Sequence, residues 1–222
     1  MGVQNFGTPD PQKGLWGTGV LGSWLPFCLT TKKLILASGS LQRKKLLKDL
    51  GVQFIVKTST IKEVQKIRST CSALVKHNAL LKAKDVADRL KDGIVVGADT
   101  LVYGGNKELI GKPRHLKEAK KILYALFSKP HWVYTGVAVI DVATGKQMVD
   151  YEKTKVFMLP LTDEEIDRYH KKASPLDKAG GFDIEGGGSV FIHRIEGCYS
   201  NVIGLPIAKL ATMLRKFGVF IL

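Results

Sequence analysis

Five glycine-containing stretches carry the residue types that could do chemistry. The first is Ala37-Ser38-Gly39-Ser40-Leu41-Gln42-Arg43-Lys44-Lys45. Two hydroxyls and a glycine lie where a strand gives way to a helix. Free backbone amides at a helix N-terminus attract phosphate, and an arginine fork can hold two of its oxygens. The same residues also read as a plain N-cap, Ser40, before a solvated basic face. The second is Gly97-Ala98-Asp99-Thr100. A carboxylate directly after a buried Ile-Val-Val run is expected at a strand's C-terminal end, where α/β sheets place ligands. It could bind a divalent ion, take a proton from water, or simply make a turn. The third is Gly111-Lys112-Pro113, which pins an ammonium on a constrained backbone or forms a surface turn.

The fourth runs from Asp177 to Gly188 and holds Asp177, Lys178, Asp183 and Glu185 among five glycines. Such a loop lets backbone approach a ligand closely, or merely connects. The fifth, Gly197 to Pro206, places Asn201 in a loop before a helix, as ligand contact or turn cap.

The elements that must position these residues follow from periodicity and punctuation. Strands are expected at Leu34–Ala37, Gln53–Lys57, Ile94–Val96, Trp132–Val142, Gln147–Phe157 and Val190–His193. Helices are expected at Gln42–Leu50, Cys71–Leu90, Leu116–Phe127, Thr162–Lys172 and Ile207–Phe217. Thr162 and Glu165 have the spacing of a capping box. The order implies an α/β fold whose sheet contains a hairpin around Ala143-Thr144-Gly145, and so is not purely parallel.

The chain has 222 residues, 45% of them hydrophobic and 24% charged. That suits a folded domain and excludes disorder or collagen-like architecture as the main state. Thirty-four basic residues against 20 acidic ones give a formal charge of +14, which favours an anionic partner without choosing which. Three scattered cysteines argue for a reducing compartment, and five histidines without ligand spacing argue against a zinc site.

Residues 1–31 differ in composition. Gly14–Thr31 is uncharged for 18 residues, yet four glycines and Pro26 make it a poor membrane span. It reads as a flexible or atypical extension, with an anchor or targeting role as the alternative. The globular domain is expected over residues 32–222.

Taken in order, the pieces L-I-L-A-S-G-S-L-Q-R-K-K-L-L, I-V-V-G-A-D-T, G-K-P, H-W-V-Y-T-G-V-A-V, E-K-T-K-V-F, D-K-A-G-G-F-D-I-E-G and S-N-V-I-G-L-P-I resemble the Maf family of nucleotide pyrophosphatases. The resemblance runs from about Leu34 to the C-terminus. It implies an elongated mixed sheet with flanking helices and two lobes around a nucleotide-binding cleft. It implies hydrolysis of a nucleoside triphosphate to monophosphate and pyrophosphate with a divalent metal, expected to be Mg²⁺. Asp99 matches the proposed proton acceptor and metal carboxylate, and Glu63 a second metal ligand. Lys82, Lys112 and Arg43 match its catalytic cations. Ser38, Ser40, Thr100, Asp177 and Lys178 match substrate-binding positions. A cytoplasmic protein with no obligatory nucleic acid and no membrane is expected, and a homodimer is compatible with the resemblance.

Three positions linked to base choice give a mixed signature. The family's S-P-R-R is Ser40-Leu41-Gln42-Arg43 here, so an arginine is missing at Gln42. Thr100 agrees with the branch that acts on dTTP and UTP. Glu185 stands where that branch has glutamine, and resembles the branch that prefers 7-methyl-GTP. The expectation is a dTTP/UTP pyrophosphatase. The alternatives are a 7-methyl-GTP pyrophosphatase and a non-catalytic nucleotide- or nucleic-acid-binding protein.

Overall fold

The computed structural model describes residues 32–64, 70–105 and 108–221, so the readings made for residues 1–31 lie outside the described residues. The chain runs β1 (Leu34–Leu36), α1 (Leu41–Asp49), β2 (Ile55–Val56), α2 (Cys71–Ala87), β3 (Ile94–Gly105), β4 (Glu108–Ile110), α3 (Leu116–Ser128), β5 (His131–Asp141), β6 (Gln147–Met158), α4 (Asp163–Lys172), β7 (Ile192–Glu196), α5 (Tyr199–Ile203) and α6 (Ile207–Arg215). A seven-stranded mixed sheet has the order β2-β1-β3-β5-β6-β7, with β4 also on β3. The β1 pairings to β2 and β3 are parallel, and the rest are antiparallel. The expected hairpin is the β5–β6 pair.

Helix packing divides the long strands into two halves. Near the β1 end, α2 covers one face through Ala79, Ala83 and Val86 against Ile35, Val95 and Ala138. The opposite face packs Leu47 of α1 and Leu210, Met213 and Leu214 of α6 against Val96, Val137 and Val139. At the far end, Leu123 and Leu126 of α3 and Ile166 and Tyr169 of α4 pack on Val102, Val133 and Val156. Two packing centres therefore share β3, β5 and β6. Residue spacing explains the helices: Leu74, Asn78 and Ala79 are buried on one side of α2, and the Thr70 side chain caps it by accepting from Ala73 N at 3.1 Å. The capping box at Thr162 is complete in both directions.

Several expected boundaries move. The strand expected at Ile94–Val96 continues to Gly105, so Asp99 lies within a strand, paired with Gly136, and not at its end. The antiparallel β5 partner carries β3 past the point where the hydrophobic run stops. The strand expected at Val190–His193 is Ile192–Glu196; Gly186–Val190 is a 3₁₀ turn that leaves Val190 exposed. The helix expected to reach Leu90 ends at Ala87. Strand β4 and helix α5 were not expected, being too short for periodicity to register.

Helix α2 lies almost on the sheet backbone. A Cβ at Gly97 would stand 2.3 Å from Ala79 O, and one at Gly136 would stand 2.2 Å from Val75 O. Gly136→Ala is therefore expected to lower stability by about 1–3 kcal/mol, measured by urea denaturation, because backbone must shift. The activity should fall with it, since α2 carries Asn78 and Lys82.

Beneath the α3 lobe, His131 is 1% exposed, and among the described residues neither ring nitrogen has a hydrogen-bond partner. It packs edge-on against Phe182, with ring centroids 5.5 Å apart. Burial holds its imidazole down to about 4, against an ordinary 6.5. The fold thus favours the neutral ring. Its stabilising contribution is complete above pH 6.5 and is lost as pH falls from 6.5 toward 4, by about 3 kcal/mol in total. His131→Leu should flatten this part of the acid limb in thermal unfolding measured against pH. An unchanged limb would contradict the assignment.

Candidate active site

The outer edge of β3 has a gap. Strand β1 pairs with it as far as Val96, and β4 takes over only at Val102. Between them the edge carbonyl of Ala98 has no strand partner and instead accepts from Arg43 Nη1 at 3.0 Å and Lys82 Nζ at 3.4 Å. A break in a ladder leaves buried polar groups that need partners, and here two cations supply them. The cleft forms around this gap.

Asp99 is 6% exposed and points toward α2. Lys82 Nζ lies 2.6 Å from Asp99 Oδ1 and 2.6 Å from Glu63 Oε1. Asn78, one turn before Lys82 on the same face, donates to Asp99 Oδ2 at 3.0 Å and to Val64 O at 3.0 Å. Its Oδ1 accepts from Val64 N at 3.1 Å. The same asparagine therefore fixes the Asp99 carboxylate and the segment that carries Glu63. Burial pushes Glu63 up, but the Lys82 ammonium, aided by Arg43 and Lys112, holds it below the usual carboxylate range.

Arg43 is 8% exposed and committed to the protein. Its Nε donates to Gly204 O at 2.8 Å, Nη1 to Ser38 Oγ at 3.0 Å as well as to Ala98, and Nη2 to Thr100 Oγ1 at 2.9 Å. Four of five N–H groups are used, so the fork expected to grip phosphate instead ties α1, β3 and the α5–α6 turn together. Burial lowers its pKa, and Asp99 and Glu63 oppose that shift. The Ser40 side chain caps α1, at 3.4 Å from Arg43 N, and donates to Gln42 Oε1 at 3.1 Å. Thr100 Oγ1 is shared with Thr135 at 2.9 Å and Gly204 O at 3.3 Å.

The remaining expected residues come from the opposite wall. Gly180 N donates to Gly111 O at 3.0 Å, which joins the Lys112 turn to the glycine-rich loop. Gly180 and Gly181 have φ of 80° and 69°, the left-handed region where glycine is favoured. Lys178 pairs with Asp177 at 2.8 Å. Glu185 pairs with Lys45 of α1 at 2.8 Å, across the mouth of the cleft. The loop is therefore built, with Asp183 Oδ1 accepting from Gly188 N at 3.1 Å.

Two connected chambers result. Both are lined by Ser40, Gln42, Arg43, Glu63, Lys82, Lys112 and Asp177. One extends along Ala37-Ser38-Gly39 to Thr58 and Ser59. The other reaches Asp99, Thr100, Lys178 and Glu185 and an apolar wall of Val102, Val133, Phe182, Ile184 and Val202. All the site residues expected from sequence thus border one cleft. Asn78 and the Gly204 carbonyl were missed. The i, i+4 relation of Asn78 to Lys82 was the available signal. Asn201 is buried and donates to Val133 O at 3.0 Å and Thr154 Oγ1 at 2.9 Å, so it braces the sheet and does not face the cleft.

The second chamber is lined by four cations, Arg43, Lys82, Lys112 and Lys178, against five carboxylates, Glu63, Asp99, Asp177, Asp183 and Glu185. The overall positive charge is therefore not concentrated there. A polyanion entering this lining needs further positive charge. Asp99 and Glu63 converge on one point with hard oxygen donors, which suits Mg²⁺ sharing its shell with phosphate and water. Among the described residues no three His, Cys, Asp or Glu side chains gather into a metal-holding group. The donor set fits the ion, at a point now bridged by the Lys82 ammonium.

The family model for Maf-like protein matches residues 33–217, and the chain belongs to this family. It is 45% identical over 188 residues to the dTTP/UTP pyrophosphatase of Desulforamulus reducens, covering 85% of this chain and 98% of that protein. It is 46% identical over 186 residues to the protein of the same name from Alkaliphilus oremlandii, covering 83% and 96%. The protein of that name from Bacillus cereus is 46% identical over 188 residues, covering 85% and 91%. Among solved structures, a HAM1 protein from Coxiella burnetii is similar with a TM-score of 0.42 at 17% identity, over 57% of this chain and 73% of that one.

Proposed function

We propose that this chain is a metal-dependent nucleoside triphosphate pyrophosphatase acting on dTTP and UTP. The observation that carries the chemistry is the Asp99–Lys82–Glu63 cluster at the gap in β3, in a family whose similar members are named for this activity. The hydroxyl and cation-lined chamber would take the phosphates, and the apolar wall the base. Asp99, with one oxygen held by Asn78 and the other by Lys82, would orient a water and accept its proton as that water's oxygen bonds to the α-phosphorus. The bond from that phosphorus to the bridging oxygen breaks, and the pair of electrons leaves with pyrophosphate. Lys82 and Lys112 would meet the developing charge. Asp99 and Glu63 would hold a divalent cation, which would neutralise the phosphates and make a bound water more acidic. Arg43 would act through position, holding the walls. The free thiols of Cys71 and Cys198 agree with a cytoplasmic setting, and among the described residues no helix is long and apolar enough to cross a membrane.

Glu185 bears on the base. Lys45 pairs with its Oε1, and the second carboxylate oxygen can still accept from a base N–H, so the preference for dTTP and UTP rests on the similar proteins named for it. Lys45→Ala should raise KM for dTTP about fivefold with kcat nearly unchanged, because a bare carboxylate then faces a polyanion. Glu185→Gln in that background should restore KM; no restoration would remove Glu185 from substrate choice.

The test is pyrophosphate release from dTTP, UTP, CTP, GTP and 7-methyl-GTP with Mg²⁺. Preference for dTTP and UTP is expected. Preference for 7-methyl-GTP would overturn the substrate, and no release from any would overturn the activity.

A further inference from the structure

The half of the sheet face beyond α2 carries a second concentration of recognition chemistry, and it is independent of the cleft. Helix α2 makes its close approach at Gly97 and Gly136 and begins at Cys71. Past it, register places Trp132 and Tyr134 of β5 opposite Lys155 and Lys153 of β6. Side chains two residues apart on a strand share a face, about 7 Å from one another. Tyr151 belongs to the same face and stacks on Tyr134, with centroids 6.4 Å apart and planes 20° apart. Phe157 continues the row, opposite Arg194 of β7.

Every one of these rings is half-buried and has a cation over it. Lys153 Nζ lies 5.5 Å from the Trp132 centroid and 5.5 Å from that of Tyr134. Lys155 Nζ lies 5.6 Å from Trp132 and 4.9 Å from Phe157. The Arg194 guanidinium sits 3.7 Å from Phe157, and Lys76 of α2 is 5.7 Å from Tyr151. Four cations thus interleave four aromatic rings. Glu196 shares their face, opposite Lys155 and paired with Arg194, whereas Asp150 alternates to the other face of β6, where Lys209 of α6 holds it at 2.9 Å. None of the rings or their cations lines the cleft.

We propose that this sheet face binds single-stranded nucleic acid, its rings stacking on unpaired bases while Lys76, Lys153, Lys155 and Arg194 move to the phosphates. An aromatic ring offers a surface to any base, and a flexible ammonium over it can exchange that ring for a phosphate oxygen. Duplex bases are stacked on one another and offer no such faces. A second copy of the chain is a poorer occupant, since a twofold contact would set this cationic surface against itself. The chemistry also accounts for part of the excess positive charge that the cleft lining does not hold.

The test uses the full-length chain and fluorescein-labelled dT12 and rU12 without terminal phosphates, titrated by anisotropy from 50 to 300 mM salt. Micromolar binding is expected at the low end, persisting in excess dTTP. Lys153→Ala with Lys155→Ala should weaken it at least tenfold and shrink the slope of log affinity against log salt by about 1.4. Trp132→Leu should weaken it about fivefold or more. Both lysines are at least partly exposed and outside the cleft, so pyrophosphate release should stay unchanged in the lysine variant and certify its fold. No binding at 50 mM salt would overturn the proposal. So would displacement by dTTP, equal affinity for inorganic polyphosphate, or indifference to the lysine substitutions. A dimer in sedimentation that the same substitutions dissociate, or loss of adsorption to phosphatidylserine vesicles without oligonucleotide binding, would reassign the face.

Discussion

Asp99→Asn lowers kcat for pyrophosphate release by roughly 10²–10⁴-fold, the range expected when a positioned proton acceptor is lost. The side chains are nearly isosteric. Asn78 can still donate to the remaining carbonyl oxygen, and Lys82 keeps Glu63 as an ion-pair partner. The fold should therefore survive, and KM for the triphosphate should change much less than kcat. Basicity and a metal-binding oxygen are what disappear. A single-turnover assay on folded protein checks this. A variant that keeps kcat but binds substrate poorly would make Asp99 a binding residue and leave the proton acceptor unassigned.

Arg43→Met lowers stability by about 3 kcal/mol or more and kcat/KM by about 10²-fold, although its guanidinium is engaged by the protein. Its partners are the carbonyls of Ala98 and Gly204 and the hydroxyls of Ser38 and Thr100. Leaving such buried acceptors without a donor costs about 1–3 kcal/mol each, discounted where neighbours or water can replace the bond. The Asp99 and Glu63 carboxylates would also lose a nearby cation. Arg43→Lys should rescue little, because one ammonium cannot reach four acceptors that surround a planar fork. Urea denaturation and kcat/KM, measured together, test the pair. Full stability in Arg43→Met with activity lost would return Arg43 to direct phosphate contact.

The division between what the sequence disclosed and what it did not follows the range of the interactions. Punctuation and periodicity are local, so the capping box at Thr162, the β5–β6 hairpin and the body of α2 were legible. The full extent of β3 was not, because its second half is set by pairing with β5, some thirty residues away in sequence. Asp99 was recognised by type and motif, but its setting at a gap between β1 and β4 needed β4, three residues long. Arg43 was legible as a cation near a helix N-terminus. Its commitment to Gly204 depends on a contact across 161 residues. The lysine at 45 passed as solvated charge, and only its 2.8 Å pairing with Glu185 gives it a part in the cleft. The row of Trp132, Tyr134, Lys153 and Lys155 was visible as two short motifs. Their union on one face is a consequence of register.

The most direct measurement is hydrolysis of dTTP in ¹⁸O-labelled water with Mg²⁺, followed by mass analysis of the products. Attack on the α-phosphorus by water that Asp99 deprotonates should give dTMP and pyrophosphate, with one labelled oxygen in dTMP and none in pyrophosphate, and both products should be lost in Asp99→Asn. Label in pyrophosphate would put attack on the β-phosphorus, and release of dTDP with labelled inorganic phosphate would put it on the γ-phosphorus. Either result would contradict the assignment of the cleft.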